Sequence, residues 1–121
     1  MKGAPFFSSI LLVTLSAIAL GQTIQKGDFS ADTSSEGWSL GSGNGPRTHI
    51  VFVTFEKPFE TVPTVMVTLT GYDASVAKDG AVRLTLKTEK VSREGFVIKV
   101  QTWADCHVGA VNGSWMAWAS K

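Results

Sequence analysis

The sequence contains a single cysteine and only two histidines among its 121 residues. One cysteine excludes a disulfide within the chain, and so few thiol and imidazole ligands exclude a Cys/His zinc site. The chain also has almost no net charge, since its 11 Lys and Arg residues are balanced by 10 Asp and Glu residues. The chain therefore lacks the electrostatic excess that is typical of nucleic-acid-binding domains, and we expect no nucleic-acid partner.

Apolar residues, in contrast, are plentiful. They make up 44% of the chain and aromatic residues 10%, which is enough for a hydrophobic core and excludes intrinsic disorder. Domains typically have about 100–150 residues, so the length favours a single domain. Nothing in the composition indicates a bound cofactor, and we expect none.

Residues 1–21 are predicted to be a secretory signal peptide. Lys2 supplies the short positive segment, and the apolar run from Phe6 to Leu20 is shorter than the ~20 residues that a membrane-spanning helix needs. Ala19 and Gly21 are small residues that suit cleavage after Gly21. Cleavage after Ala19 and an uncleaved N-terminal anchor are the alternatives. We therefore expect a secreted, extracellular protein without membrane insertion.

Removal of the signal peptide takes away Lys2 and leaves ten basic against ten acidic residues. A neutral secreted domain has no net charge to keep copies apart, which is compatible with oligomerisation. Cys106 is then an unpaired cysteine in a secreted chain. Two alternatives remain open for it, a buried thiol that acts as a small apolar residue and a disulfide to another chain.

The mature chain alternates apolar and polar residues with a period of two, and no amphipathic helix pattern follows residue 21. The alternation and the turn signals between the segments predict an all-β fold, an antiparallel β-sandwich of about six strands. Five strands can be read directly from the sequence, at residues 50–55, 64–70, 82–88, 96–103 and 114–119.

Residues 22–46 have a different composition, with five glycines among serines and aspartates and Trp38 as the large apolar residue. We predict an N-terminal arm that packs through Trp38 and ends in a mobile glycine-rich loop, followed by the sandwich over residues 47–121. The loop lacks the Lys-Ser/Thr pair and the following helix of a nucleotide-binding loop, which disfavours phosphate binding.

No catalytic constellation is evident in the sequence. His49 and His107 have no serine or cysteine motif around them, so a nucleophile–base pair is not indicated. Asp73 and Asp79 flank a polar loop and are interpreted as solvated carboxylates rather than as a glycosidase pair. We therefore expect that the protein is not an enzyme.

Polar and aromatic residues of the kind that bind sugars lie near the predicted strand ends. Arg83 offers a rigid fork of donors, Asp105 and Asn44 offer acceptors, and Trp103 offers an aromatic face. The alternative interpretation is structural, with Trp103 as a half-buried core residue and Arg83 as an exposed strand residue paired with an acid across the sheet.

The sequence Asn112-Gly113-Ser114 is an acceptor motif for N-glycosylation in a secreted chain. Asn-Gly is also a strong hairpin signal, so a plain turn is the alternative, and the two are compatible at a turn tip.

A set of anchor residues recurs at spacings that are typical of one family: Phe52, Phe55, Pro58, Phe59, Pro63, Val65, Val67, Leu69, Asp73, Arg83, Gly95, Phe96, Thr102, Trp103, Ala104, Asp105, Val108, Trp115 and Ala117. On these residues the chain resembles an H-type lectin domain from about His49 to Ala119. The family includes the snail albumen-gland agglutinin and the C-terminal domain of the slime-mould discoidins.

The resemblance implies a six-stranded sandwich, a tight trimer and calcium-independent binding of galactose-type sugars, above all N-acetylgalactosamine. The implied site lies at the edge of the sandwich, near the junction between protomers. The sugar-contacting arginine of the family falls on Arg83 and its tryptophan on Trp103. Its acidic loop residue falls near Asn44, its histidine falls on Ala104, and Asp105 is a polar neighbour that contacts the sugar or stabilises the loop.

Two positions depart from the family pattern. Asn44 can exchange hydrogen bonds with a sugar, but it lacks the charge that strengthens a carboxylate contact. Ala104 removes a polar contact, so selectivity for the N-acetyl group does not carry over, and His107 is a further candidate contact. The intrachain disulfide of the snail lectin is also missing.

The sequence therefore predicts a secreted lectin for glycans with terminal galactose or N-acetylgalactosamine, which acts in agglutination, recognition or defence. We expect a homo-oligomer, either a trimer or a hexamer in which Cys106 links two trimers. The alternative function is a secreted structural or matrix module that keeps the sandwich and the trimer without sugar binding.

Overall fold

The computed structural model describes residues 22–120, so the predicted signal peptide lies outside the described residues. Within this range the chain forms six β-strands: β1 (Gln22–Asp32), β2 (Arg47–Thr54), β3 (Thr64–Ser75), β4 (Thr85–Glu89), β5 (Gly95–Thr102) and β6 (His107–Ser120). No helix that is long and apolar enough to cross a bilayer is found among these residues. The prediction of an all-β fold with six strands is confirmed.

The strands form two antiparallel sheets of three strands each. One sheet has the order β1-β6-β3 and the other has the order β2-β5-β4. The long strand β6 is central in the first sheet, where Asp28 of β1 and Thr68 of β3 both lie opposite Ser114. In the second sheet, Thr48 of β2 and Thr85 of β4 share the partner Gln101 of β5.

The hydrophobic core lies between the two sheets. Strand β5 contributes the alternate residues Phe96, Ile98 and Val100, of which Ile98 and Val100 are fully buried. Val111 of β6 packs into the same cluster. Full burial of such a side chain contributes roughly 1.5–3 kcal/mol, so the central strands account for much of the stability of the sandwich.

Two glycines in the first sheet are covered by aromatic rings from neighbouring strands. Gly113 of β6 lies opposite Phe29 of β1, and a Cβ at Gly113 would come within 2.4 Å of the Phe29 ring. Gly27 of β1 lies opposite Trp115 of β6, whose ring would be 2.8 Å from a Cβ there. Each ring occupies the space that the glycine leaves, so glycine and aromatic residue form one packing unit.

The prediction of an N-terminal arm over residues 22–46 is wrong for its first part. Residues Gln22–Asp32 are an edge strand, β1, which pairs with β6 along its whole length. The sandwich therefore begins at β1 rather than at residue 47. The other predicted strands overlap those of the structure, although β3 continues to Ser75, β4 starts only at Thr85 and β6 begins at His107, well before the predicted start at residue 114.

The segment between β1 and β2 crosses from one sheet to the other and packs through Trp38, as predicted. The Trp38 indole Nε1 donates to the Val108 carbonyl at 3.0 Å, and its ring lies 4.9 Å from the His49 ring. The next apolar residue, Leu40, is fully buried, and its carbonyl accepts from the Val108 amide at 2.8 Å. These contacts hold the crossing segment against the start of β6.

Candidate functional site

Three loops meet at one end of the sandwich, where β3 ends, β5 ends and β2, β4 and β6 begin. They are the glycine loop (residues 42–46), the β3–β4 loop (residues 76–84) and the β5–β6 loop (residues 103–106). The Lys78 amide donates to Asp105 Oδ2 at 3.1 Å, and the Gly45 amide donates to the Ala104 carbonyl at 3.1 Å. The β5–β6 loop therefore links the other two.

Arg83 is fixed between these loops by its main chain. Its carbonyl accepts from Thr102 Oγ1 at 2.6 Å, and its amide donates to Cys106 Sγ at 3.5 Å. Thr85 pairs with Gln101 at the last rung of the sheet, so an extension of this register sets Arg83 opposite Trp103. Two predicted site residues, Arg83 and Trp103, thus leave the sheet side by side on its outer face.

The guanidinium of Arg83 forms a two-pronged ion pair with Asp79. Nη1 lies 3.2 Å from Asp79 Oδ1, and Nη2 contacts Oδ2. Asp79 Oδ1 also accepts from the Ala81 amide at 3.1 Å, which makes Asp79 the first residue of a tight polar turn. The interpretation of Asp79 as a solvated carboxylate missed this role, because a four-residue spacing brings side chains together on a helix and these residues lie in a loop.

The ion pair determines the electrostatics of the site. The Arg83 guanidinium, followed by the Ala81 amide, holds the pKa of Asp79 below its ordinary value. The hydrogen bonds to Asp79 raise the pKa of Arg83, with a smaller contribution from the charge of Asp105. Arg83 therefore keeps its charge and faces two carboxylates, while about a quarter of its side chain (23%) remains exposed.

Trp103 is 40% exposed, so it is half-buried, as the structural interpretation expects, and part of its indole is open to solvent. Beside its ring runs a groove of about 360 Å³ on the outer face of β4 and β5, lined also by Pro46, Thr85, Lys87, Gln101 and Thr102. A partly exposed indole at the end of a groove offers an apolar face with polar groups nearby, which is an arrangement suited to ligand binding.

Ala104 and Asn44 are placed at the site by unusual backbone. Ala104 has a φ of +58°, the left-handed region that residues other than glycine seldom adopt. Gly43 and Gly45, on either side of the exposed Asn44, have φ values of +88° and +78°, where glycine has no steric cost. All five predicted residues, Asn44, Arg83, Trp103, Ala104 and Asp105, therefore lie on the converging loops.

The glycine loop is held in place by hydrogen bonds, which is at odds with the prediction of a mobile loop. The Arg47 guanidinium donates to the carbonyls of Ser42 and Gly45, and His107 Nε2 lies 2.9 Å from the Gly43 carbonyl. A carbonyl only accepts, so this His107 nitrogen carries a proton. His107 thus supports the loop from the side, and the role of Arg47 was not evident from the sequence.

Cys106 is fully buried behind the site. Its Sγ accepts from the Arg83 amide and lies 3.4 Å from the Ser75 carbonyl. Of the two alternatives for this cysteine, the structure favours the buried thiol, because a disulfide to another chain needs the sulfur at the surface.

Asn112 lies in the middle of β6, opposite Ser30 on one side and Gly71 on the other. The hairpin-turn interpretation of Asn112-Gly113 is therefore wrong. The Asn112 side chain is exposed, so the glycosylation prediction stays a prediction.

The remaining titratable residues provide no catalytic pair. His49 is buried against Trp38, and His107 is bonded to the glycine loop. Within residues 22–120, no group of three or more His, Cys, Asp or Glu side chains is arranged to hold a metal ion.

The fold is similar to those of known proteins. The structure matches discoidin II of Dictyostelium discoideum, in a recombinant native form with a TM-score of 0.73 and 29% identity, and in a wild-type structure with 0.74 and 28%. The match covers 83% of this chain but only 38% and 37% of the discoidin II chains, so this chain spans well under half of that protein.

Two further proteins are similar to this chain. The tailspike gp61 of Pseudomonas phage phi297 shares the fold, with a TM-score of 0.56 over 82% of this chain and 16% of the tailspike, at 13% identity. The protein named "ATP synthase subunits region ORF 7" of Fuscovulum blasticum is 32% identical over 83 residues, which are 69% of this chain and 70% of that protein.

The family comparison agrees with the anchor residues of the sandwich. The model of the H-type lectin domain matches residues 50–118, a range that extends from β2 almost to the end of β6 and includes Arg83, Trp103 and Asp105. The chain therefore belongs to the H-type lectin domain family, a family of carbohydrate-binding domains.

Proposed function

We propose that this protein binds glycans with terminal galactose or N-acetylgalactosamine at the loop end of the sandwich. One observation carries the proposal: three loops, joined by hydrogen bonds, bring Arg83, Trp103 and Asp105 next to the glycine loop with Asn44. Membership of the H-type lectin domain family supports carbohydrate as the class of ligand.

The chemistry of these side chains suits a galactose-type ring. The apolar C–H face of the sugar packs on the exposed indole of Trp103. Arg83 uses two of its five N–H donors on Asp79, and the remaining donors bind sugar hydroxyls in a fixed orientation. Asp105 and Asn44 accept from hydroxyl groups on either side.

The two departures from the family pattern affect selectivity. Ala104 has no polar side chain for an N-acetyl group, and Asn44 has no charge. Because neither residue favours the N-acetyl substituent, we propose that galactose and N-acetylgalactosamine bind with similar, weak affinity, and that a chelator has no effect on binding.

We propose further that the protein is secreted and acts as an oligomer. The outer face of the β1-β6-β3 sheet supports assembly, because it exposes an apolar patch defined by Ile24, Met66 and Met116, which are 50%, 57% and 43% exposed. Exposed apolar groups that lie together mark interaction surfaces. Several sites on one oligomer would raise avidity by about 10² to 10⁴, which suits agglutination or defence.

The test is binding of the full mature protein to galactose and N-acetylgalactosamine, on resin and by calorimetry, with and without chelator. Arg83→Ala should weaken binding by about 10- to 100-fold, since a hydrogen bond to a charged group is worth about 1.5–3 kcal/mol. Arg93→Ala is the matched control, because Arg93 lies at the other end of the sandwich and donates to the Phe59 carbonyl. If the folded Arg83→Ala variant binds sugar as tightly as the wild type, the assignment of the site is wrong.

The second candidate is a structural or matrix module without sugar binding. The observation that favours it is Ala104 together with Asn44, which remove two polar contacts of the family pattern. A protein that assembles but binds none of a panel of neutral glycans would support this candidate over the lectin.

A further inference from the structure

The side chain of Arg47, the first residue of β2, makes four hydrogen bonds to main-chain carbonyls. Nε donates to Gly45 at 2.9 Å, and Nη1 donates to Ser42 at 2.8 Å. Nη2 donates to Ala104 at 2.6 Å and to Cys106 at 3.0 Å. A guanidinium has five N–H donors, so Arg47 commits nearly its whole donor set to the loops around the candidate site.

The four acceptors belong to two different loops. Ser42 and Gly45 lie in the glycine loop, and Ala104 and Cys106 lie in the β5–β6 loop. The glycine loop has little other support, because its glycines adopt positive φ values and contribute no side chains. Besides Arg47, it is held by the bond from the Gly45 amide to Ala104 and by the His107 contact to Gly43.

We infer that Arg47 is a positioning residue of the sugar site, which fixes the glycine loop against the β5–β6 loop before the ligand arrives. This inference rests on the proposed function. By holding Ala104 in its left-handed conformation, Arg47 sets the direction in which the neighbouring Trp103 and Asp105 leave the chain. By holding Gly45 and Ser42, it sets the place of Asn44.

Preorganisation explains why such a residue affects affinity without contact to the ligand. A shallow site gains little free energy from each sugar, and loops that become ordered on binding consume part of that gain. Carbonyls that are already bonded to Arg47 need no ordering. A lysine cannot replace this function, because its single ammonium group lacks the planar fork that reaches four acceptors at once.

The experiment compares Arg47→Lys and Arg47→Ala with Arg93→Lys, the matched control at the opposite end of the sandwich. Calorimetry with methyl galactoside should give at least about tenfold weaker binding for both Arg47 variants and unchanged binding for the control. Amide hydrogen exchange should accelerate at residues 43–45 and 104–106 only in the Arg47 variants. Methylguanidinium at millimolar concentration should restore part of the binding of Arg47→Ala, whereas methylammonium should not.

Two results would overturn the inference. One is wild-type affinity in a folded Arg47→Lys while Arg83→Ala has lost binding. The other is loss of the folded state in both Arg47 variants, since Arg47 would then support the fold rather than the site. If the wild-type protein binds no sugar, the proposed function fails separately, and the exchange rates alone decide whether Arg47 orders the two loops.

Discussion

At the scale of single residues, Asp79 controls how Arg83 faces the solvent. Its carboxylate holds both terminal nitrogens of the guanidinium, although 60% of its own side chain is exposed. Asp79→Asn keeps the shape but removes the charge, so the guanidinium loses its fixed orientation. We expect about five- to tenfold weaker sugar binding by calorimetry. Asp73→Asn, at an exposed carboxylate near the end of β3, should bind as the wild type does.

The same ion pair predicts the pH dependence of binding. The hydrogen bonds from Arg83 lower the pKa of folded Asp79 below the ordinary 3.8. The pair is therefore intact above that value and is lost only as the pH falls through the lower pKa of the folded state. Binding should be constant from pH 8 to about 5 and should decline only at pH values below the ordinary pKa of 3.8. A loss of binding near neutral pH would contradict control by the Asp79–Arg83 ion pair.

Cys106 provides a test of the packing behind the site. Because its side chain is fully buried, a thiol reagent should label the native protein very slowly and the unfolded protein at once. Non-reducing and reducing gels should show the same monomer band. Rapid labelling of the native protein, or a reducible dimer band, would contradict the buried position.

The side chains that we propose to contact sugar could be identified in the sequence, whereas the residue that holds their loops in place could not. Arg83 and Trp103 have side chains whose chemistry is evident locally. Arg47 acts on carbonyls that are 57 and 59 positions away, and every residue has a carbonyl. No pattern in the sequence identifies such acceptors, so only the fold reveals the role of Arg47.

At the scale of elements, the sequence predicted five of the six strands and missed β1. The alternation in β1 is interrupted at Gly27, where an apolar side chain is expected. Trp115 from the neighbouring strand occupies this position in the core. The same arrangement, an aromatic ring packed on a glycine of the neighbouring strand, explains why the turn predicted at Asn112-Gly113 is wrong, because Phe29 covers Gly113. The pattern of apolar residues within one strand cannot reveal a core position at which a side chain from a neighbouring strand takes the place of its own.

The packing of Phe29 on Gly113 predicts the effect of adding a single methyl group at Gly113. A Cβ at Gly113 would lie 2.4 Å from the Phe29 ring and 2.4 Å from the Thr68 carbonyl oxygen, which is main chain and cannot move freely. Gly113→Ala should lower the free energy of unfolding by about 1–3 kcal/mol. Gly71→Ala on β3 is the control, since its nearest neighbour would be 3.7 Å away, and it should change stability by less than about 0.5 kcal/mol. Denaturant unfolding measures both.

At the scale of the whole molecule, the apolar patch of Ile24, Met66 and Met116 is the surface on which assembly can be tested. Met66→Glu places like charges on facing copies, so the mass by light scattering should fall from that of a trimer to that of one protomer. Agglutination should disappear, while the affinity for a single sugar should change much less. Val62→Glu is the control, because Val62 is 62% exposed in the loop between β2 and β3.

A wild-type protein that is a monodisperse monomer and still agglutinates cells would contradict the role of assembly. A monomer that binds sugar but does not agglutinate cells would support the proposed site and contradict the proposed multivalent function.

The pairing of Gln22 with Ser120 places the two ends of the described chain side by side. The candidate site adjoins the opposite end of β6, at His107, about 45 Å away for a strand of this length. A tether at either end of residues 22–120 therefore leaves the candidate site facing outward. The domain is suited to immobilisation on a glycan sensor or to display on a particle, and a fusion partner on either side would not shield its ligands.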